Sequence, residues 1–254
     1  MNAFLTTLLC TLAATALAEI SPNIVGGSNA ASNEFPWQGS LQVRSGSSWF
    51  HICGCVLYTT TKALTAAHCL SNSASSYRLG FGMLRMNNVD GTEQYSSVTS
   101  YTNHPSYNGN AAGYPNDIAV LRLQTSMDTS SAAVGTSVWL LVQRLFRTNS
   151  HDQRMGKTLW RWKHPNNLQK VDMTVLTNSD CSSRWSGISG ATVNSGHICI
   201  FASGKSACSG DSGGPMVVGN TLTGITSWGI SSCSGSYPSV YTRVSSFNSW
   251  IQGQ

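Results

Sequence analysis

"SGDSGGPM", residues 209–216, is the stretch on which the reading of this 254-residue chain turns. A serine framed by glycines lets a substrate's backbone come close and lets successive N–H groups converge on one point. The plain alternative is a glycine-rich turn. Gly210, Asp211, Ser212, Gly213 and Gly214 also satisfy the G-x-S-x-G pattern of a strand-to-helix nucleophile elbow, in which the acid and the histidine follow the serine. No His, Asp or Glu follows Ser212 in this chain, so the elbow reading fails. Any base and any orienting acid must lie upstream.

Two upstream stretches offer them. "LTAAHC", residues 64–69, ends an apolar run with His68 beside a cysteine, and "NDIAVLRL", residues 116–123, places Asp117 at the head of another. Taken alone, a histidine is usually structural, and an aspartate in such a place is a turn residue or a buried partner. Three motifs in the order His, Asp, Ser change that balance in a chain that also looks secreted.

Residues 3–17 are almost unbroken Ala, Leu, Thr and Phe, and Ala16, Leu17 and Ala18 supply the small residues that a signal peptidase reads. Residues 1–18 therefore read as a secretory signal, although the usual positive charge is missing from its start; the run is too short for a dependable membrane span. No later stretch is long and apolar enough to span. The chain beyond the signal is expected to be soluble, extracellular and monomeric. Charged residues make up 10% of the chain, against roughly a quarter in average proteins, while 41% is hydrophobic. That combination suits an extracellular β-rich domain and excludes a disordered tail.

The net charge of +5 is not a nucleic-acid signature. Arg144, Arg147, Arg154, Lys157, Arg161 and Lys163 stand against Asp152 alone within residues 144–163, and the rest of the chain is neutral. One odd segment is not an extended basic face.

Short strands with turns between them dominate the pattern. "GSLQV" (39–43), "HICGCVL" (51–57), "KALTA" (62–66), "YRLGF" (77–81) and "DIAVLRL" (117–123) are candidate strands, and "KVDMTVLT" (170–177) puts Val171, Met173 and Val175 on one face. "PMVVGNTLTGITSWG" (215–229) reads as a hairpin turning at Gly219-Asn220. Helix is expected to be scarce until the end, where Phe247, Trp250 and Ile251 follow a capping Ser245 or Ser246. The expected fold class is all-β, a barrel or a sandwich. Of eight cysteines, Cys10 leaves with the signal; Cys53, Cys55, Cys69, Cys181, Cys199, Cys208 and Cys233 remain, an odd set without zinc-type spacing that reads as a disulfide framework with one thiol over.

Together the motifs resemble the trypsin/chymotrypsin serine endopeptidases. The residues that carry the resemblance are Ile24-Val25-Gly26-Gly27, Thr65-Ala66-Ala67-His68-Cys69, Asp117-Ile118-Ala119, Gly210 to Pro215, Ser227-Trp228-Gly229 and Tyr241-Thr242-Arg243-Val244. The resemblance implies two antiparallel β-barrels over residues 24–254, dividing near 130–140, with a short C-terminal helix. It implies Ser212 as nucleophile, His68 as base, Asp117 as the acid that orients it, and the N–H groups of Gly210 and Ser212 as an oxyanion hole. Ser227 would support the buried aspartate. It also implies the pairs Cys53–Cys69, Cys181–Cys199 and Cys208–Cys233, the first closing a loop worth roughly 3 kcal/mol. Cys55, left over, is expected to be a small buried residue.

Specificity and activation are implied in the same way. Ser206 would form the floor of the primary pocket, with Ser227, Trp228, Gly229 and Ser239 along its walls. An uncharged floor disfavours Arg and Lys and points to chymotrypsin-like cleavage after Phe, Tyr, Leu or Met, with elastase-like cleavage after small residues as the alternative. A non-catalytic homologue that only binds is the competing class, but the chain keeps every triad and oxyanion residue. Residues 19–23 would form a short activation peptide, and a new ammonium at Ile24 would pair with Asp211. Asn23 departs from the Arg or Lys that trypsin-activated members carry there. Partners implied are protein or peptide substrates, a non-tryptic activating protease and protein protease inhibitors. No cofactor is expected. No metal is expected either, because Phe81 stands near the place of the first carboxylate of the family's calcium loop and Glu93 alone makes a poor site.

One segment fits none of this. From Leu140 to His164, where the family has a barrel strand and an exposed loop, "LVQRLFRTNSHDQRMGKTLWRWKH" (141–164) shows no strand alternation and holds the basic cluster. It reads either as a local frame shift in the recorded sequence or as a divergent basic loop; resequencing the transcript across these codons separates the two.

Overall fold

The computed structural model describes residues 24–86, 89–136, 155–163 and 167–254, with residues 155–163 described as backbone. The signal and activation peptide, including Asn23, and most of the basic segment lie outside the described residues. Two rings of antiparallel strands make up the fold.

The first ring is a closed six-strand barrel in the order β2 (Gln38–Ser45), β3 (Ser48–Thr59), β4 (Lys62–Thr65), β7 (Ala119–Leu123), β6 (Gln94–Asn103), β5 (Tyr77–Phe81). Its inward residues Leu41, Val56, Leu64, Leu79 and Leu121 are fully buried. Burying leucine-sized side chains contributes about 1.5–3 kcal/mol each. Five of these six strands were legible from their apolar runs. β6 was not, because its inward positions include Ser96, whose hydroxyl accepts from the Thr125 N–H at 2.9 Å.

The second ring runs β9 (Asn167–Leu176), β10 (His197–Phe201), β13 (Ser239–Arg243), β12 (Thr221–Trp228), β11 (Pro215–Val218), β8 (Met155–Lys163), and a β8–β9 pairing closes it; β1 (Ser28–Asn29) adds to β9 from outside. Val171 and Met173 of β9 point inward with Ile198, Ile200, Met216 and Tyr241, while Asp172 and Thr174 point out. β8 corrects the expectation that residues 141–164 hold no strand. Met155–Lys163 pairs with β9 on one side and β11 on the other. The main-chain donors and acceptors of two neighbouring strands select an extended conformation there, which period-two patterning did not announce.

Helix is scarce before the C-terminus, as expected, and one helical expectation, the capping serine, is corrected. A short helix, α1 (Asn178–Arg184), follows β9, with the Thr177 side chain accepting from the Asp180 N–H at 3.1 Å. The C-terminal helix α2 (Asn248–Gln252) exists, but a 3-10 turn over Val244–Phe247 precedes it, and Phe247, not a serine, holds the N-cap position without a side-chain bond. Phe247 and Ile251 are nonetheless buried in the cluster that contains the first barrel's leucines, so the chain's end packs on the first barrel.

The two rings meet at a tight seam. The Gly54 N–H of β3 donates to the Ser212 carbonyl at 2.7 Å. The Thr65 hydroxyl donates to the Gly54 carbonyl at 2.8 Å. A side chain at Gly54 would lie 2.7 Å from the Gly214 Cα, so only glycine lets the backbones approach this closely.

Candidate active site

The seam carries the chemistry. β4 ends at Thr65, and a 3-10 turn over Ala67–Cys69 presents His68. Asp117 precedes β7, which pairs with β4, so register alone brings the two residues together. The disulfide from Cys53 to Cys69 ties that turn to β3.

Asp117 is fully buried, and its acceptor capacity is well used. Oδ1 takes the His68 backbone N–H at 2.9 Å, and Oδ2 takes His68 Nδ1–H at 2.7 Å and the Ser227 hydroxyl at 2.6 Å. The Asp117 carbonyl accepts from the Thr242 hydroxyl at 2.7 Å. A carboxylate is an acceptor only, so Nδ1 of His68 carries the proton and Nε2 is left with a lone pair. That is the tautomer a general base needs.

Ser212 is carried on the loop before β11, which the Gly54 N–H ties to the first barrel through the Ser212 carbonyl. It is half-buried; no hydrogen bond from its hydroxyl to His68 is formed among the described residues. The loop's amides divide in two. Those of Asp211, Gly213 and Gly214 donate to Cys208, Thr226 and Asp211 carbonyls, at 3.0, 2.8 and 3.0 Å. Those of Gly210 and Ser212 have no acceptor among the described residues. Two amide donors left open on either side of Asp211 are what an oxyanion would fill.

His51 joins the site without any sequence signal. Its Nε2–H donates to the Gly210 carbonyl at 3.2 Å, and its Nδ1 shares a hydrogen with the Ser40 hydroxyl at 2.8 Å. The peptide whose N–H would face the oxyanion lies next to that carbonyl, so His51 steadies the loop from the first barrel. In a strand reading, His51 was one polar residue among several.

The residues expected to form a primary pocket are placed as follows. Ser206 is buried and exchanges both backbone hydrogen bonds with Val25, at 3.0 and 3.2 Å. Its hydroxyl donates to the Ala207 carbonyl at 2.7 Å. Ser239, also buried, accepts from the Ala207 N–H at 3.0 Å, next to Ser206 in the chain. A side chain at Gly229 would meet no atom within 4 Å, so the space beside Trp228 is open. Cys208 and Cys233 are bridged, and Cys181–Cys199 joins α1 to β10. Cys55 is a buried free thiol whose pKa is raised by burial.

Ile24 is buried among Val171, Met173, Ile198 and Tyr241 in the second barrel. Asp211 is buried too, and its Oδ2 accepts from the Cys208 N–H at 2.7 Å.

Among the described residues, one group of side chains comes close enough together to hold a metal, and it does not suit one. Cys53, His68 and Cys69 have ligand atoms within 4.8 Å of one another, but the two sulfurs are bonded to each other. In the loop expected to lack calcium, Phe81 is fully buried, Asp90 pairs with Arg85, and Glu93 accepts the N–H groups of Asp90 and Gly91 at 2.6 and 2.9 Å. Glu93 is thus committed to protein donors, while Asp90 engages Arg85 through Oδ1 and its buried Oδ2 has no partner among the described residues.

A buried carboxylate steering an imidazole, beside a serine whose flanking amides stand open, all at the seam of two barrels, defines a serine hydrolase of the double-barrel type. The trypsin family model matches residues 24–251, and the chain belongs to that family. It is 90% identical over 254 residues, the whole of both chains, to a chymotrypsin-like serine proteinase of Haliotis rufescens. It is 38% identical over 246 residues to fibrinolytic enzyme isozyme C of Lumbricus rubellus, covering 90% of this chain and 98% of that one. It is 36% identical over 244 residues to trypsin beta of Drosophila erecta, covering 92% and 89%.

Proposed function

We propose that the protein is a secreted serine endopeptidase with chymotrypsin-like preference, acting through Ser212, His68 and Asp117. The observation that carries this is the saturation of Asp117 by His68 and Ser227, which leaves the Nε2 lone pair as the free basic site. With substrate seated, Ser212 Oγ attacks the scissile carbonyl carbon while Nε2 takes its proton. The carbonyl oxygen becomes an oxyanion between the Gly210 and Ser212 amides; one such donor is typically worth about 2.7–4 kcal/mol in the transition state. Collapse breaks the C–N bond, and the proton passes from His68 to the leaving amine. Water, deprotonated by the same imidazole, then hydrolyses the acyl-enzyme.

Ser206, uncharged and buried at the pocket floor, supports cleavage after Phe, Tyr, Leu or Met, and the open space at Gly229 admits flat or long side chains. Chromogenic peptides with Phe, Leu, Ala and Arg at the cleaved position test this. Fastest turnover of the Phe or Leu peptide is expected; fastest turnover of the Arg peptide overturns it. Elastase-like preference would show as the Ala peptide leading. Changing Ser212 to Ala is expected to lower turnover about a million-fold, since triad members act as a unit, and retention of a tenth of the rate would move the nucleophile elsewhere. Digestion is the physiological role proposed for it.

Activation is proposed to follow cleavage after Asn23 by a non-tryptic protease. The new Ile24 ammonium would pair with Asp211 and so fix the neighbouring amides of Gly210 and Ser212. The burial of both residues supports this reading, and losing one partner of such a buried pair typically costs about 3–5 kcal/mol. Gly26, at φ +69, lets the segment turn, and a side chain there would meet the Gly204 carbonyl at 2.8 Å. N-terminal sequencing of active enzyme is expected to read Ile-Val-Gly-Gly. An active form beginning at Glu19 overturns the switch.

A further inference from the structure

A cavity of about 200 Å³ lies between the two barrels and takes no part in the chemistry above. Glu34, Phe35, Gln38, Met83 and Asp90 line it from the side of the first barrel, and Leu168 of β9 lines it from the second. Its rim includes the exposed Asn33, so it opens to solvent.

Two oxygens of its lining lack a hydrogen-bond donor. Gln38 is 6% exposed, and its Oε1 is buried without a partner among the described residues. The other end of that amide fixes which atom is left over. Nε2 donates to the Gly39 carbonyl at 2.7 Å, and a carbonyl only accepts, so a flipped amide would set two oxygens against each other. The second oxygen is Oδ2 of Asp90, also buried and without a partner among the described residues, while Oδ1 takes Arg85 Nε at 2.9 Å. A buried acceptor is expensive to leave unserved, and a charged one more so. Glu34 is different, because its Oε2 accepts the Ala31 N–H at 2.9 Å and its Oε1 pairs with Lys170.

The charges around the cavity do not balance. Glu34, Asp90 and Glu93, which holds the Asp90 and Gly91 N–H groups, stand against Lys170 and Arg85, an excess of one negative charge among the described residues. Phe35, Met83 and Leu168 supply an apolar wall. Two buried acceptors, an excess negative charge and an apolar wall together select a ligand that donates hydrogens, carries a positive charge and has a short hydrocarbon body. A cavity of about 150 Å³ holds a benzene molecule, so this one takes a body of a few carbons.

We propose that this inter-barrel cavity binds a small primary alkylammonium, whose N–H groups donate to Gln38 Oε1 and Asp90 Oδ2 and whose hydrocarbon lies against Phe35, Met83 and Leu168. The bond to the carboxylate is charge-assisted and carries most of the affinity. Calcium suits the cavity less, because one carboxylate oxygen and one amide oxygen fall short of the roughly six to eight that it takes. None of the lining residues belongs to the triad or to the primary pocket proposed above, so the ligand does not compete with substrate. It does adjoin the seam: a side chain built on Gly54 would lie 3.4 Å from Gln38 Nε2, and the Gly54 N–H holds the Ser212 carbonyl.

Butylammonium chloride is the probe. The controls are sodium chloride at equal ionic strength and tetramethylammonium chloride, a cation without N–H donors. Thermal unfolding is expected to show a saturable rise in midpoint with butylammonium alone, half complete at roughly millimolar concentration, the scale of a ligand of about five heavy atoms. With isotope-labelled methionine methyl groups, the Met83 signal is expected to shift over the same concentrations, while Met127 and Met216, which do not line the cavity, stay in place. Asp90→Asn, whose side-chain oxygen still accepts from Arg85, is expected to weaken binding about tenfold, and Gln38→Met, of similar volume without Oε1, about fivefold. Should Gln38→Met not fold, Asp90→Asn and the Met83 signal decide. A midpoint no higher than with tetramethylammonium, a half-saturation unchanged in Asp90→Asn, or an unmoved Met83 signal overturns the proposal. Stabilisation by calcium chloride in place of the amine overturns it too, by making the carboxylates a metal site. So does competitive inhibition of peptide hydrolysis, which would put the amine in the cleft. The unfolding and methionine readouts hold whether or not the catalytic reading does.

Discussion

Replacing Gly213 by alanine tests whether the seam between the barrels sets the rate. Gly213 sits at φ +77, and a Cβ there would lie 2.1 Å from the Thr65 hydroxyl and 2.4 Å from the Gly54 carbonyl. Gly219, in the β11–β12 turn, provides the control: its φ is +60, and a Cβ would meet nothing within 4 Å. Both substitutions carry the left-handed penalty of about 1–2 kcal/mol. Only Gly213→Ala adds a clash with backbone, and overpacking of that kind costs about 1–3 kcal/mol more. Relieving it means moving the loop off β3 by about an ångström, which stretches the 2.7 Å bond from the Gly54 N–H to the Ser212 carbonyl. A displacement of that size at a reacting group costs about a hundredfold in rate. Gly213→Ala is therefore expected to lose about 2–5 kcal/mol of stability and about a hundredfold in kcat. Gly219→Ala is expected to lose about 1–2 kcal/mol and keep kcat within about twofold. Urea unfolding and steady-state kinetics on one peptide substrate measure both. If Gly213→Ala keeps kcat within twofold of the Gly219→Ala value, the seam does not position Ser212 and the reasoning fails.

Ser227→Ala removes one donor from Asp117 while His68 retains both of its bonds; a hydrogen bond to a charged group is worth about 1.5–3 kcal/mol. Stability should fall by about that much and kcat/KM by about tenfold, and a loss as deep as that of Ser212→Ala would mean that Ser227 does more than support the carboxylate. Burial lowers the pKa of both His104 and His197, so on acidification the unfolded chain takes up protons before the folded one does. Their contribution to stability is thus complete above the ordinary histidine pKa of about 6.5 and is lost as pH falls toward the lowered folded values; thermal unfolding between pH 7.5 and 5 should show a flatter slope in His197→Gln than in wild type. Cys55, fully buried with a raised thiol pKa, should stay unmodified by a thiol reagent in the native enzyme and react once the protein is unfolded in denaturant, and rapid native labelling would contradict its burial.

The sequence by itself determined the chemistry and most of the first barrel. His68, Asp117 and Ser212 are each embedded in a local pattern, and chain order alone excluded the nucleophile elbow. β2, β3, β4, β5 and β7 were legible because their inward residues are leucines, valines and alanines at short spacing, so burial is written into residue type. The odd cysteine count foretold a leftover thiol, which is Cys55.

Tertiary structure decided what depends on residues distant in the chain. β8 is extended because β9 and β11 offer it hydrogen-bond partners on both sides, and its own composition does not alternate. β6 turns Ser96 inward because Thr125 meets its hydroxyl. His51 matters only because β3 passes under the Gly210 carbonyl, 159 residues away in sequence. Side-chain periodicity records burial along one segment. A hydrogen bond between strands, or an imidazole beneath a loop, belongs to pairs of segments, and their closeness is set by barrel closure rather than by either local sequence.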